Sequence, residues 1–244
     1  MNLNIPRALV VGRFQEARLL LSCIRHMEST ETPPLDSEEV KILRGLFYVH
    51  LYGALEQSLN EAVACFLQEI ASMNFCAKDF SLGFWPVAMN SHFQGLSAVQ
   101  SNKKWSKRVE FVSAVLSENP CEIGNAIFSP HFQSSESTTI SDVARYLGMN
   151  HLPIASSADR YYVDEVVQKR HQVAHGRVNP SLVGARGRSS ELEIRFDAVS
   201  RIVEMFMSLL EEYYSSLAFL TDEARLRIQG CLLYTSDAAD ELLV

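Results

Sequence analysis

The sequence predicts an all-α protein, a bundle of long amphipathic helices, and three observations carry that expectation. Apolar residues recur at steps of three and four through most of the chain, the period of a helix with one buried face. Breaks in the pattern fall where helix-stopping residues gather: at Pro33 and Pro34, at Gly83 and Pro86, and at Gly176 and Pro180. Strand-like alternation is confined to 192–196, too short to build a sheet.

The first helix is expected over Arg7–Met27, with Val10, Phe14, Ala17, Leu20, Leu21 and Ile24 on one face. Residues 30–36, Thr-Glu-Thr-Pro-Pro-Leu-Asp, end it, because paired prolines remove donors and clash with a preceding turn. Asp36, with Glu39 three residues on, reads as a capping-box start to a long second helix. Its stripe of Val40, Leu43, Phe47, Leu51, Leu55, Leu59, Ala62, Val63, Phe66 and Ile70 keeps one face apolar for about nine turns. Residues 80–89 read as a turn rich in large apolar groups. A helix is expected over 102–116, with Trp105, Val109, Val112 and Leu116 on one side. Trp85 and Trp105, with Phe84 and Phe93, read as core rather than as base-stacking platforms. Residues 117–157 form a polar connection with a short helix at 140–147, an excursion long enough for a lid or a partner surface.

Ser156 with Asp159 opens a helix over 158–175, apolar at Tyr162, Val163, Val166, Val167, Val173 and Ala174, and Gly176 stops it. The loop 179–190, holding Gly184 and Gly187, is expected to be mobile. A last long helix is expected over 197–220, through Val199, Ile202, Val203, Phe206, Leu209, Leu210, Tyr213 and Leu217. No internal repeat divides the chain, and residues 1–230 are expected to form one domain.

An apolar content of 47% is enough for a full core. No run approaches the roughly 20 apolar residues of a membrane span, and the first residues lack the apolar stretch of a secretory signal. A cytoplasmic protein is expected. The five cysteines are scattered without a Cys-x-x-Cys pair, which argues against a zinc site or a disulfide framework. Cys23 and Cys65 are expected to be small buried hydrophobes. The run from Cys231 to Glu241 is similar to a translated library-adaptor sequence, so 231–244 is expected not to be native. Setting aside Asp237, Asp240 and Glu241 leaves −4 of the formal charge of −7. Such mild acidity excludes a surface that attracts nucleic acid everywhere.

Chemistry concentrates at the end of the fifth expected helix. Glu165, Gln168, Lys169, Arg170, His171, Gln172, His175 and Arg177 follow one another beside a valine-rich face. His171 and His175 are four apart and share a side of the helix. Arg170 lies about 140° round the axis from His175, so either its long stem or a second copy of the helix must bring the two together. Histidine transfers protons in both directions near neutral pH, and a helix C-terminus favours its protonated form. A planar guanidinium matches the oxygens of a pentavalent phosphate. From Lys169 to Arg195 the six bases Lys169, Arg170, Arg177, Arg186, Arg188 and Arg195 outnumber the acids Glu191 and Glu193, as a confined phosphate-binding patch requires. The equally open reading is a solvated basic loop.

The segment Arg170-His171-Gln172-Val173-Ala174-His175-Gly176 resembles the Arg-x4-His motif of the HEPN superfamily. The stretch from Phe47 to Glu56, the Leu147-Gly148-Met149 end of the short helix, and Val163-Asp164-Glu165-Val166-Val167 are similar to the RiboL-PSP/MAE-like HEPN subgroup, and the likeness spans about 10–220. It implies a HEPN-type helical bundle with additional N-terminal and middle helices, commonly a homodimer with two motifs across one cleft. It also implies a metal-independent endoribonuclease in which the RNA 2′-hydroxyl attacks the adjacent phosphate. His175 would correspond to the catalytic histidine and Arg170 to the phosphate-stabilising arginine. His171 stands where asparagine or aspartate is usual, which leaves its catalytic role open. Lys169, Arg177, Arg186 and Arg188 are the candidate RNA-backbone contacts. No cofactor is implied, and a toxin or phage-defence effector with an antitoxin or nucleotidyltransferase partner is the biological setting the family suggests.

Other readings start from the same residues. A HEPN-like module could hold RNA, a nucleotide or a protein without cutting, or Arg170 and His175 could be satisfied internally in a purely structural protein. His171 and His175 have the spacing of two metal ligands on one helix, but no third ligand lies nearby in sequence. His50 reads as a satisfied core or interface residue, and Glu56 as part of a capped structural pair ahead of the alternative, an ion pair that orients Arg170 across helices. Neither a Gly-x-Ser-x-Gly elbow nor a glycine-rich phosphate loop is present.

Overall fold

The computed structural model describes residues 2–154, 156–228 and 230. Its centre is α2 (Glu38–Ser72), packed against α1 (Arg7–Met27), α8 (Ser157–Ala174), α9 (Pro180–Gly184) and α10 (Ser189–Ser215). A helix touched on so many sides must be apolar nearly all round, and α2 buries residues from Val40 to Ile70 well beyond a single stripe. One apolar core runs from Leu3 to Ala224. The sequence stripes of α1 and α10 face into it, through Val10, Phe14, Ala17, Leu21 and Ile24 and through Val199, Ile202, Val203, Phe206 and Leu210. Among the described residues there is no named strand, only two isolated bridges, and no helix is long and apolar enough to cross a membrane. The adaptor-like run 231–244 lies outside the described residues.

Between α2 and α8 the chain forms α3 (Trp85–Ala88), α4 (Asn90–Ala98), α5 (Lys104–Leu116), α6 (Ser129–Phe132) and α7 (Ser137–Tyr146). Two expectations fail here. The connection 117–157 is not a lid: Phe128, Phe132, Ile140, Val143, Ala144 and Leu147 are buried in the common core, and Asp164 of α8 caps α7 by accepting from Ser137 N at 2.8 Å and Ser137 Oγ at 2.9 Å. Phe84 is core as expected, but Trp105 is 74% and Phe93 41% exposed. It is Phe111 that turns inward on α5, against Phe93 and His92. Cys23 is exposed because it lies off the buried row of α1.

The α1–α2 connection is organised by one buried cation. Arg44, 2% exposed, donates from Nε to Glu28 at 2.9 Å and from Nη2 to Asp36 at 2.7 Å. Asp36 also accepts from Ser29 N at 2.8 Å, so it does not cap α2; Ser37 takes that place and accepts from Val40 N. Glu28 accepts from both Ser189 N and Ser189 Oγ at 2.7 Å and thereby caps α10. With that acceptor supplied, α10 begins at Ser189 rather than near 197, and the alternating stretch 192–196 is helical, with Leu192 and Phe196 buried one turn apart. Burial alone would raise both carboxyls. The hydrogen bonds from Ser189 and Arg44 to Glu28, and from Ser29 and Arg44 to Asp36, outweigh it and hold both below the usual carboxylate range.

The expected mobile loop 179–190 is anchored instead. Asn179 leads into α9, whose Pro180 and Gly184 lie against Gly45 and Lys41 of α2. A Cβ on Gly45 would collide with the Pro180 carbonyl, and one on Gly184 with the Lys41 carbonyl. Glycine on both sides lets the two backbones touch.

Candidate active site

The motif occupies the last turns of α8. Ser156 caps the start of this helix by accepting from Asp159 N at 3.3 Å, and Val163, Val166 and Val167 bury its inner face. At the far end Gly176 takes a φ of 64°, Gly176 N donates to Val173 O and Arg177 N to Gln172 O, both at 3.0 Å. This paired closure fixes His175 as the C-cap residue, facing solvent. His171, one turn earlier, is also exposed, and the two imidazole centroids are 4.2 Å apart.

Arg170 turns the other way, toward α2. Its guanidinium carbon lies 4.2 Å from the centroid of the Tyr52 ring, and Nη2 is 4.0 Å from Glu56 Oε2. Tyr52 is itself pinned: its hydroxyl lies within donating distance of the Gln133 and Phe132 carbonyls, at 2.7 and 3.1 Å, and accepts from Ser135 N at 3.4 Å. Burial pushes the Tyr52 phenol above its ordinary range, which keeps it a neutral donor. The ring thus forms a fixed floor under Arg170, worth about 0.5–2 kcal/mol as a cation–π contact. Among the described residues no hydrogen bond joins Arg170 to either histidine.

The electrostatics still link them. His171 is held below the ordinary imidazole range, first by the water it loses and then by the positive charge of His175, Arg177 and Arg170, with Glu136 pulling the opposite way. A cationic corner therefore surrounds an imidazole that stays neutral more readily than a free one.

The basic patch is smaller than the sequence count implies. Lys169 bonds Glu165 at 2.7 Å and the Tyr48 hydroxyl at 3.0 Å, and Arg195 donates to the same Glu165 at 2.8 Å. Burial raises the Glu165 carboxyl, but the bonds from Arg195 and Lys169 outweigh this and hold it low. Arg188 donates to Ser29 O at 2.7 Å and lies 3.5 Å from Glu28. These three cations are neutralised by acids outside the window that sequence counting used. Arg177 and Arg186 are exposed and make no ion pair among the described residues. The nearby His50 is not satisfied as expected: its Nε2 is buried without a hydrogen-bond partner among the described residues.

Sequence reasoning named Glu56 opposite Arg170 but missed Tyr48 and Tyr52. Tyr48, Tyr52 and Glu56 recur at intervals of four on α2, and this row meets Lys169 and Arg170 of α8. That repeat of polar-tipped groups inside an apolar helix was the available signal. Glu136 had none, since only the turn between α6 and α7 brings it near His171. Among the described residues no three His, Cys, Asp or Glu side chains gather as metal ligands, so the histidine pair stands without a third.

The family model described as RiboL-PSP-HEPN matches residues 13–218 of the chain. No curated protein and no solved structure matches it.

Proposed function

The chain belongs to the RiboL-PSP-HEPN family, and from that premise we propose that it is an endoribonuclease that cleaves RNA without a metal ion. The supporting observation is the exposed His171–His175 pair at the end of α8, beside Arg170 and Arg177. In this reading the RNA 2′-oxygen attacks the adjacent phosphorus as an imidazole takes its proton. The bond from phosphorus to the 5′-oxygen breaks, and the leaving oxygen receives a proton from the other imidazole. The products are a 2′,3′-cyclic phosphate and a 5′-hydroxyl. His171, held low by the water it loses and by its cationic surroundings, suits the base, which leaves the acid's place to His175 at the helix C-terminus. Arg170 stabilises the charge on the phosphorane oxygens, while Arg177 and Arg186 hold flanking phosphates. Lys169 and Arg188 serve the frame rather than the substrate. Because Arg170 and His175 diverge on one helix, a homodimer uniting one chain's arginine with the other's histidine is part of the proposal.

The test is cleavage of a mixed-sequence RNA in the presence of EDTA, with end-group analysis of the products. His175→Ala should lose at least about a hundredfold in rate, the scale of one proton-transfer group, and keep its helical circular dichroism. Undiminished cleavage by this variant rejects the mechanism. One observation favours a second reading, a module that binds RNA without cutting: Arg170 is already engaged by Tyr52 and Glu56. Tight RNA binding with no cyclic phosphate formed would select it.

A further inference from the structure

Among the described residues no other element covers the outer face of α5, and within the helix Arg108 lies 4.8 Å over the Trp105 ring. The half-buried row Lys107, Phe111 and Ala114 turns inward, with Phe111 5.3 Å from Phe93 between ring centroids. On the far side of the helix axis Trp105, Val109, Val112 and Leu116 are 74, 63, 54 and 77% exposed. Four large apolar side chains in a continuous row on a 13-residue helix are more than scattered surface hydrophobics.

We infer that α5 is a self-association element, and that the occupant of its outer face is α5 of a second copy of this chain in antiparallel orientation. The spacing carries the inference. The intervals in the row are four, three and four residues, which read the same in either direction. A two-fold axis through the middle of the helix sets Trp105 opposite the partner's Leu116 and Val109 opposite the partner's Val112, so every member of the row meets another member. Alternation of three and four is also the seam of a two-stranded coiled coil. Ser106 and Ser113 flank the seam with small side chains that let the helices approach.

Charge selects the same orientation. Lys103 and Lys104 at the amino end are exposed and make no ion pair among the described residues, while Glu118, just past the carboxyl end, is already paired with Lys78 at 2.8 Å. In the register that pairs Trp105 with the partner's Leu116, the two lysine-bearing amino ends lie at opposite ends of the helix pair. A parallel copy would set lysine against lysine. One short helix pair buries less than the ~800 Å² per partner of a standard complex, so association belongs at about 10 µM to 1 mM.

The experiment is sedimentation equilibrium of the full chain across that range, with Trp105→Glu and Leu116→Lys as exposed-site variants. The wild type should reach twice the mass of either variant where α5 is the sole interface, and more where a second interface links the pairs. Mixing the two variants should restore the wild-type mass, because the antiparallel register gives one Glu–Lys layer and one intact Trp–Leu layer. Equal masses for wild type and variants at every concentration overturn the inference. A mixture that stays at the variant mass overturns the antiparallel register, and capture by anionic vesicles without any gain of mass in solution would assign the face to a lipid surface instead.

Discussion

Tyr52 shows how much a single side chain can organise. Its ring carries Arg170 and its hydroxyl fixes the turn before α7 that brings Glu136 toward His171. Two substitutions separate these duties. Tyr52→Phe keeps the floor and loses the anchor, at a stability cost of about 1 kcal/mol in urea unfolding. Tyr52→Leu removes the floor as well, and RNA cleavage should fall roughly tenfold further, equivalent to ~1.4 kcal/mol within the cation–π range. Equal cleavage by the two variants would show that the ring does not position Arg170. That Arg170, His171 and His175 fall together at the end of one helix was legible in the sequence, because spacing and helix end are local. Tyr52 was not, since its place under the guanidinium depends on how α2 meets α8. The supply of free bases was misread partly for the same reason, since Glu28 reaches Arg188 and Glu165 reaches Arg195 from distant segments. Glu165–Lys169, by contrast, is a local i,i+4 pair just outside the counted window.

At the level of elements, α1 and the long α2 were legible because each carries many turns of one pattern, and α8 because both its ends are marked by local chemistry. The short α9 was hidden. Proline and glycine spell a loop in any local reading, and only contact with α2 makes Gly184 a packing residue. Gly184→Ala should therefore cost about 2–3 kcal/mol, measured as a lowered urea midpoint, because the added carbon meets backbone that cannot step aside. Gly53→Ala, inside α2 with open space around it, is the control and should be stabilising by about 0.5–1 kcal/mol. Comparable losses in both would mean that α9 is not docked on Gly45. The apolar row of α5 was legible as a row, but periodicity alone could not tell which side of the helix faces inward.

The whole molecule is tied at Arg44, where the end of α1, the α1–α2 connection, α2 and the start of α10 meet. Glu28 and Asp36 titrate lower in the folded chain than when unfolded. Their contribution is therefore intact above about pH 4, the unfolded value, and is lost as pH falls through the lower folded values. Thermal melts should drop steeply below about pH 4, and the neutral set Arg44→Met, Glu28→Gln and Asp36→Asn should flatten that drop. Arg44→Met alone, leaving two buried carboxylates without their cation, should cost about 3–5 kcal/mol at pH 7. A wild type as steady at pH 3 as at pH 7 would remove the network from this role. The Glu28 latch also has a bearing on synthesis. Its carboxylate waits for Ser189, 161 residues later in the chain. A nascent polypeptide leaving the ribosome thus exposes α1 and α2 long before the group that closes them exists, and the bundle can lock only once Ser189 has emerged.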